Sequence, residues 1–415
     1  MFESDRKLRH LPFFETIAAS DEGDAEWHAA TAGLVVLRLV DAWIEDGPRA
    51  VADDDWGLRA VNTAIAELSS HEKIKVVLSS IVGLIETSPI VDMGLLAPRL
   101  MAYGQLLEYE ARWSLATDVY GTIVAHTHPV QEADLATQAH LRRGFCLRQV
   151  GDLVASLSAY ETAGGIASAA NDMVGVLRAR IGEAKGAIAR GNMPRAQELL
   201  DETIERAAAH RLDAVQSMAL HDRSDVAFQT GDYELAIRLA YQALSMTESS
   251  RERDRILADI AASFFKLGVH SAARDAYLIL AATGQEQYQR WTATLNLMEI
   301  AAVDGEELLF EQYRRSIDVR MLPPRQEVLY WLQAGVGYGH LGNHDEGRAF
   351  IERALEVAED YELNKMAFEA EEALRTLERD RRVSERQRAA AYVPAEEVEE
   401  VARVLRAERL HIGVK

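Results

Sequence analysis

The sequence contains a single cysteine, Cys146, among its 415 residues. One cysteine cannot form a disulfide within the chain, and it excludes a zinc site built from several thiolates. Proline is also scarce, with nine residues, and the 26 glycines show no low-complexity bias. The chain is therefore neither a disulfide-stabilised secreted domain nor a flexible linker polypeptide.

Positive charge is in short supply as well. The chain has 45 Lys and Arg against 66 Asp and Glu, which gives a net charge of −21 and a pI near 5.1. Binding to phosphate groups needs clustered Lys and Arg, so this balance disfavours nucleic acids and anionic membranes as partners. We expect neither of them.

Long apolar runs are missing too. The N-terminal residues carry charges throughout and show no apolar core of the kind a signal peptide has. The most apolar run, Thr31 to Ile44, is interrupted by Arg38 and Asp41, and it is too short to span a bilayer. These features predict a cytoplasmic protein without a membrane segment.

Motifs that carry chemistry are equally absent. The sequence has no P-loop, no G-x-S-x-G elbow, no H-E-x-x-H and no metal-binding cysteine pair. His126 and His128 could bind a metal, but they precede Pro129 at a helix end without a carboxylate at metal spacing. Arg148 could lower the pKa of Cys146, although a lone helical cysteine is typical of packing. We expect no enzyme, cofactor or metal site; an unrecognised enzymatic site in the first hundred residues stays an alternative.

What the sequence does contain is a regular internal spacing. Seven turn signals fall between runs of helical periodicity, at intervals of 40, 40, 40, 37, 37 and 37 residues. They lie at Ala111, Gly151, Gly191, Gly231, Gly268, Gly305 and Gly342. A repeat of this length indicates stacked helix hairpins rather than a conventional globular domain.

The hairpin around Gly231 has the clearest chemistry. Gly231 can end one helix in the left-handed conformation, Asp232 can cap the next, and small residues such as Ala227 and Ala236 allow close antiparallel packing. In these features the hairpin resembles a tetratricopeptide repeat (TPR) of the long-repeat type. The resemblance covers about residues 95–377 and implies an all-α, right-handed α-solenoid of TPR-like hairpins with capping helices at both ends. The hairpin at Gly305 departs from the pattern, because Phe310 stands where a small residue is expected.

The resemblance also suggests a division of the chain. We expect N-terminal capping helices in residues 1–55, including a long helix over Glu26 to Glu45. A repeat array follows over 56–377, with a degenerate first hairpin that turns at Ser69-Ser70, and a charged linker with a C-terminal capping helix occupies 378–415. The glycine-rich stretch Gly335 to Gly339 lies inside a predicted helix and indicates close packing rather than a phosphate loop. Ala395 to Arg409 has an apolar stripe, so we expect it to form a helix docked on the last repeats.

In a TPR superhelix the first helix of each pair faces inward, and this surface is the predicted site. The inward offsets select apolar anchors flanked by charges, which suit an extended or amphipathic polypeptide. The predicted partner-binding residues are Phe145, Arg148, Arg178, Lys185, His221, Asp225, Phe228 and Phe265. We expect a polypeptide-binding scaffold, an adaptor or regulatory subunit, whose partner is a protein or peptide. A peptide- or small-molecule-responsive sensor is the alternative, inter-repeat packing is the competing role for the aliphatic positions, and a homo-oligomer stays open.

Overall fold

A computed structural model describes residues 9–48, 55–68, 71–361, 363–382 and 394–414; the side chains of 55–56 and 380–382 are not included in this description. Over these residues the chain forms twenty α-helices, one short 3-10 helix (Val319–Met321) and no β-strand. The chain divides into two compact units at Ala207 and Ala208, near the end of the tenth helix.

The first ten helices are α1 (Leu11–Ala19), α2 (Ala25–Glu45), α3 (Asp55–Ala66), α4 (Glu72–Thr87), α5 (Met93–Tyr109), α6 (Trp113–His126), α7 (Ala133–Gln149), α8 (Leu153–Ala169), α9 (Met173–Ala189) and α10 (Met193–Ala209). The second unit contains α11 (Asp213–Gln229), α12 (Tyr233–Met246), α13 (Ser250–Lys266), α14 (His270–Thr283), α15 (Gln287–Val303), α16 (Glu307–Ser316), α17 (Pro324–His340), α18 (His344–Asp360), α19 (Asn364–Arg382) and α20 (Glu396–His411). The all-α prediction is confirmed.

Each of the seven aligned positions is the turn of a helix hairpin, as the spacing predicts. All seven residues have positive φ, between 58° and 88°. Six are glycines, which adopt this conformation without steric cost, whereas Ala111 adopts it at φ 58°. At Gly231 the N–H of Asp232 donates to the carbonyl of Ala227, which closes the helix end, and the Asp232 side chain accepts from the N–H of Leu235.

The hairpins stack in the order of the chain within each unit. The first helices α5, α7 and α9 pack on one another in succession in the first unit, and α11, α13, α15 and α17 do so in the second. Second helices also pack on the next first helix, as α6 does on α7 and α12 on α13. The stacked helices bury their hydrophobic residues in several clusters along the array, for example two between α15 and α19.

The irregular hairpin at Gly305 is compensated by the glycine-rich stretch in the next α-helix, α17. Phe310 is fully buried and packs edge-on against Tyr338, with ring centroids 5.0 Å apart. The ring lies so close to Gly337 that a methyl group there would overlap it. Gly335 likewise approaches the backbone of Gly347. The stretch thus lies within α17 and serves close helix packing, in agreement with the sequence interpretation.

The N-terminal end is built around α2. This 21-residue helix is long and apolar enough, by length and composition, to cross a membrane. The shortness of the apolar run Thr31 to Ile44 therefore does not by itself exclude a membrane segment. In the structure, 56% of its most apolar window is buried inside the fold. Phe13 of α1 and Trp43 of α2 are both fully buried in the N-terminal core. The helices α3 and α4 flank the predicted turn at Ser69-Ser70, although residues 69–70 lie outside the described residues.

The C-terminal helix forms as predicted, but its predicted docking site is wrong. Helix α20 packs against α14 and α12 in the middle of the second unit, rather than on the last repeats. Val398, Val401 and Leu405 are buried at this contact. Ion pairs flank them, including Arg409 Nε to Asp275 Oδ1 at 2.8 Å. The amphipathic pattern identifies the buried face correctly and carries no information on which helices cover it. The charged linker that precedes α20 lies largely outside the described residues.

Candidate partner-binding site

The structure places the predicted site residues on the first helices, four in each unit. Phe145 and Arg148 lie on α7, and Arg178 and Lys185 lie on α9. His221, Asp225 and Phe228 lie on α11, and Phe265 lies on α13. That these eight residues bind a partner stays a prediction.

The three phenylalanines share one local environment. Each is partly exposed, and each packs against an aromatic ring from a neighbouring helix. Phe145 meets Trp113 edge-on at 5.6 Å between ring centroids, and Phe228 meets Tyr233 at 5.4 Å. Phe265 lies 5.3 Å from the ring of His270. These contacts fix the orientation of the rings, so each presents a held aromatic surface rather than a freely rotating side chain.

Four basic residues of α7 and α9, together with one phenylalanine, are termed the basic face: Arg142, Phe145, Arg148, Arg178 and Lys185. Arg142 Nη1 donates to Glu108 Oε2 at 3.0 Å. The Arg148 guanidinium lies over the Phe145 ring, 5.4 Å from its centroid. Arg178 is exposed, and partial desolvation together with the nearby charge of Arg142 lowers its pKa.

The second unit holds a buried histidine between two carboxylates, which we term the histidine clamp. His221 on α11 is only 5% exposed, and its two ring nitrogens lie 2.8 Å from Glu252 Oε1 and 2.7 Å from Asp259 Oδ2, both on α13. Burial lowers the pKa of His221, but the hydrogen bonds to Asp259 and Glu252 outweigh it and raise the pKa to about 9. At neutral pH the clamp is therefore an ion triad that joins two neighbouring repeats.

Asp225 lies beside the clamp and is exposed. Partial desolvation raises the pKa of Asp225, and the negative charges of Asp259 and Asp222 raise it further. A hydrogen bond from Gln229 Nε2 at 2.9 Å acts in the opposite direction. His221 and Asp225 are both among the partner-binding residues predicted from the sequence. The structure gives His221 a structural role in joining α11 to α13.

Sequence reasoning missed a second ionic cluster, at the N-terminal end. His10 Nδ1 lies 2.6 Å from Asp118 Oδ2, and its Nε2 lies 3.2 Å from Asp41 Oδ2. Asp41 also lies 3.3 Å from His126 Nε2, and the cluster borders a cavity of about 490 Å³. Burial lowers the pKa of His10, but the two carboxylates raise it to about 9. No sequence signal connects these residues, because up to 108 positions separate them.

His128 and Cys146, considered above for metal binding and thiol reactivity, lie in a turn and in the buried core respectively. Within the part of the chain that the structure describes, no group of three or more His, Cys, Asp or Glu is arranged to hold a metal ion. His128 accepts from the backbone N–H of Val130 at 3.2 Å, which is a turn contact. Cys146 is buried, and burial together with Glu108 raises the pKa of its thiol, contrary to the effect considered for Arg148.

An apolar cavity of about 600 Å³ lies between α4 and α5 in the first unit. Its lining includes Val76 and Tyr109, which are 59% and 75% exposed, and Gln105 of α5. Lys73 Nζ lies 5.4 Å from the centroid of the Tyr109 ring at the cavity edge. Sequence reasoning did not single out this cavity, because α4 belongs to the degenerate first hairpin.

The comparisons with known proteins agree with this architecture. No family model matches the sequence, and no curated protein matches it. Among solved structures, the chain is similar to the apo form of the quorum sensor NprR from B. thuringiensis, with 13% identity, coverage of 78% of this chain and 97% of that one, and a TM-score of 0.50. It is also similar to the apo form of RapI, with 11% identity, coverage of 82% and 98%, and a TM-score of 0.48.

At this level of identity the likeness to NprR concerns the fold alone. Together with the seven hairpins and their stacking, it shows that the chain is a TPR-like helical repeat protein. The resemblance inferred from the sequence is thereby confirmed at the level of architecture.

Proposed function

We propose that the protein is a polypeptide-binding scaffold, an adaptor or regulatory subunit, which recognises its partner on the first-helix surfaces of its repeats. The observation that supports this most is the set of three partly exposed phenylalanines, each packed against a neighbouring ring, edge-on for Phe145 and Phe228 and tilted for Phe265. Aromatic anchors whose rotamers are fixed before binding lose little conformational entropy when a partner covers them. Charges of both signs around these rings orient the partner and increase the association rate.

The proposal takes the partner to be a protein or peptide in the cytoplasm and involves no nucleic acid, membrane, cofactor or metal. It also involves no catalysis. A homo-oligomer stays an open alternative for the assembly.

Two substitutions test the proposal directly. Partners captured from a lysate of the native host by the full chain are quantified by mass spectrometry, for the wild type and for Phe228→Ala. We expect capture affinity to fall about tenfold or more, since an anchor residue contributes over about 1.4 kcal/mol. The matched control is Phe368→Ala, which removes a 60% exposed ring from α19 and should leave capture unchanged.

The second substitution, Arg178→Glu, should slow association and change its salt dependence without unfolding the chain. Thermal melting of both variants separates recognition from packing. If Phe228 is a core residue in contact with Tyr233, its truncation costs about 3–5 kcal/mol of stability. Wild-type affinity in both variants would refute the proposal for these surfaces and move the partner to the second helices or to an end.

A peptide- or small-molecule-responsive sensor is the second candidate, and the histidine clamp favours it. The clamp joins α11 to α13 within the same surface that carries Asp225 and Phe228. A ligand that paired with Asp259, whose side chain is 57% exposed, would weaken a contact between two repeats. Native mass spectrometry of the protein from its own host tests this, because a sensor retains a bound molecule and an adaptor retains a protein.

A further inference from the structure

The basic face has a charge balance opposite to that of the whole chain. Helices α7 and α9 carry six Arg or Lys and only two acidic residues, Asp134 and Glu183, in a protein with 45 basic and 66 acidic residues. The two helices are neighbouring first helices and pack on each other. A local excess of positive charge on one surface of a strongly acidic protein marks a place where an anionic group is favoured.

Three side chains of this face line up along α7. Arg142, Phe145 and Arg148 follow one another at three-residue steps, which brings them to the same side of the helix. Arg178 lies on α9, which packs against α7, and the charges of Arg142, Asp172 and Asp134 all act on it. Glu108 of α5 neutralises Arg142 in part, because it also accepts from the hydroxyl of Tyr120 at 2.6 Å.

Neither Arg148 nor Arg178 forms a direct ion pair with a carboxylate among the described residues, although the charges of Asp172 and Asp134 act on Arg178 from a greater distance. The Nε of Arg148 is buried without a hydrogen-bond acceptor, and its guanidinium lies over the Phe145 ring. Other arginines of the same hairpin are paired: Arg180 with Glu183 at 3.1 Å and Arg195 with Glu198. A guanidinium without an internal ion pair can form charge-assisted hydrogen bonds to a ligand carboxylate through its accessible N–H groups.

We propose that the basic face binds an acidic polypeptide segment, with carboxylates paired to Arg148 and Arg178 and an apolar side chain resting on Phe145. The inference rests on the proposed function and narrows its partner to one chemistry. An acidic polypeptide fits better than a nucleic acid, because the few guanidinium groups form a short patch on a chain of net charge −21. The Phe145 ring, held by Trp113, suits an aliphatic or aromatic side chain between two carboxylates.

The test is a selection from a random dodecapeptide display library on the immobilised full chain. Selected sequences are made as fluorescein-labelled peptides, and their affinities are measured by fluorescence anisotropy at low and physiological salt. The variants are Arg148→Gln and Arg178→Gln. The control, Arg195→Gln, removes the same charge from helix α10, where the arginine is paired and 48% exposed. Circular dichroism establishes that each variant is folded.

We expect the selected peptides to carry at least two Asp or Glu around an apolar residue. Each arginine variant should weaken binding about tenfold, and replacing the peptide carboxylates by amides should have the same effect. Arg195→Gln should bind like the wild type. Because Arg178 is exposed, its variant remains informative even if Arg148→Gln unfolds.

The other outcomes separate this inference from the proposed function. Peptides that are not acidic, or that bind Arg178→Gln as tightly as the wild type, overturn the inference and leave polypeptide binding intact. If no peptide binds and a single-stranded 20-nucleotide RNA probe binds in an arginine-dependent manner, the inference is overturned in favour of nucleic acid. A library without binders also overturns it, and the lysate capture with Phe228→Ala then decides the proposed function by itself.

Discussion

The histidine clamp makes a quantitative prediction about pH. Replacing His221 by Gln removes a buried positive charge that lies between Glu252 and Asp259. In the fold the pKa of His221 is about 9, compared with 6.5 for an ordinary histidine. At about 1.36 kcal/mol per pKa unit this difference corresponds to an upper bound of about 3 kcal/mol. Because the Asp259 side chain is 57% exposed, solvent screening reduces the expected value to about 1–2 kcal/mol.

The sign follows from the protons bound in each state. Between pH 6.5 and 9 the folded protein holds a proton on His221 that the unfolded chain releases, so stability decreases as the pH rises. The contribution is fully present below pH 6.5 and is lost as the pH passes 9. We therefore expect the wild type to lose about 1–2 kcal/mol of unfolding free energy across this window through His221, in addition to the parallel contribution of His10.

The assay is urea denaturation followed by far-UV circular dichroism at pH 6.5 and 9.5, with urea chosen because it leaves ion pairs unscreened. His221→Gln should reduce the pH dependence, and His210→Gln, an exposed turn residue, should not. Histidine NMR titration of the folded protein gives the pKa directly. An unchanged pH dependence in His221→Gln, or a His221 pKa near 6.5, would refute the reasoning.

Three further predictions concern stability. Removing the chain from Pro394 onward should lower the melting temperature of the second unit, because three buried aliphatic side chains of α20 are lost. Their burial is worth about 1.5–3 kcal/mol each, before the entropy of ordering the helix is subtracted. Unchanged melting would show that α20 is a detached segment. Gly337→Ala should destabilise by about 1–3 kcal/mol through overlap with Phe310, whereas Gly165→Ala, at an open helical position, should stabilise by up to about 1 kcal/mol in the same melts. His10→Gln should reduce the loss of stability between pH 6.5 and 9 independently of His221, and a double variant that shows no further reduction would contradict two separate ion clusters.

The positions of the hairpin turns were predictable from the sequence because a turn imposes a local backbone requirement. Six of the seven positions are glycines in the left-handed conformation, and the spacing identified the seventh, Ala111, despite its side chain. The contact between Phe310 and Gly337 was only partly predictable. The sequence shows Phe310 as a departure from the repeat pattern and Gly337 as part of a glycine-rich stretch. The two residues lie in different hairpins, however, and meet only because α15, α16 and α17 stack on one another.

The docking of α20 and the N-terminal ionic cluster could not be predicted, and for related reasons. An apolar stripe such as that of Val398 and Leu405 specifies a buried face, and several exposed grooves in a repeat array can cover it. His10 and Asp118 meet only after α1 folds back on α6, so no periodicity in the sequence connects them. Long-range ion pairs follow from the tertiary arrangement and leave no local pattern.

The predicted site residues differ in whether the fold already uses them, and this difference bears on recognition. His221 is engaged on both ring nitrogens, and Asp225 accepts from Gln229, so part of their interaction energy is committed within the second unit. Neither Arg148 nor Arg178 forms a direct ion pair with a carboxylate among the described residues, so their charges are available to a ligand without breaking such a pair, although Asp172 and Asp134 attract Arg178 from a greater distance. A partner that pairs with these two arginines gains charge-assisted hydrogen bonds without that cost, whereas one that pairs with Asp259 must compete with His221. The proposed preference for an acidic segment therefore rests on the first unit, whereas both units contribute to the pH dependence of stability, through His10 and His221.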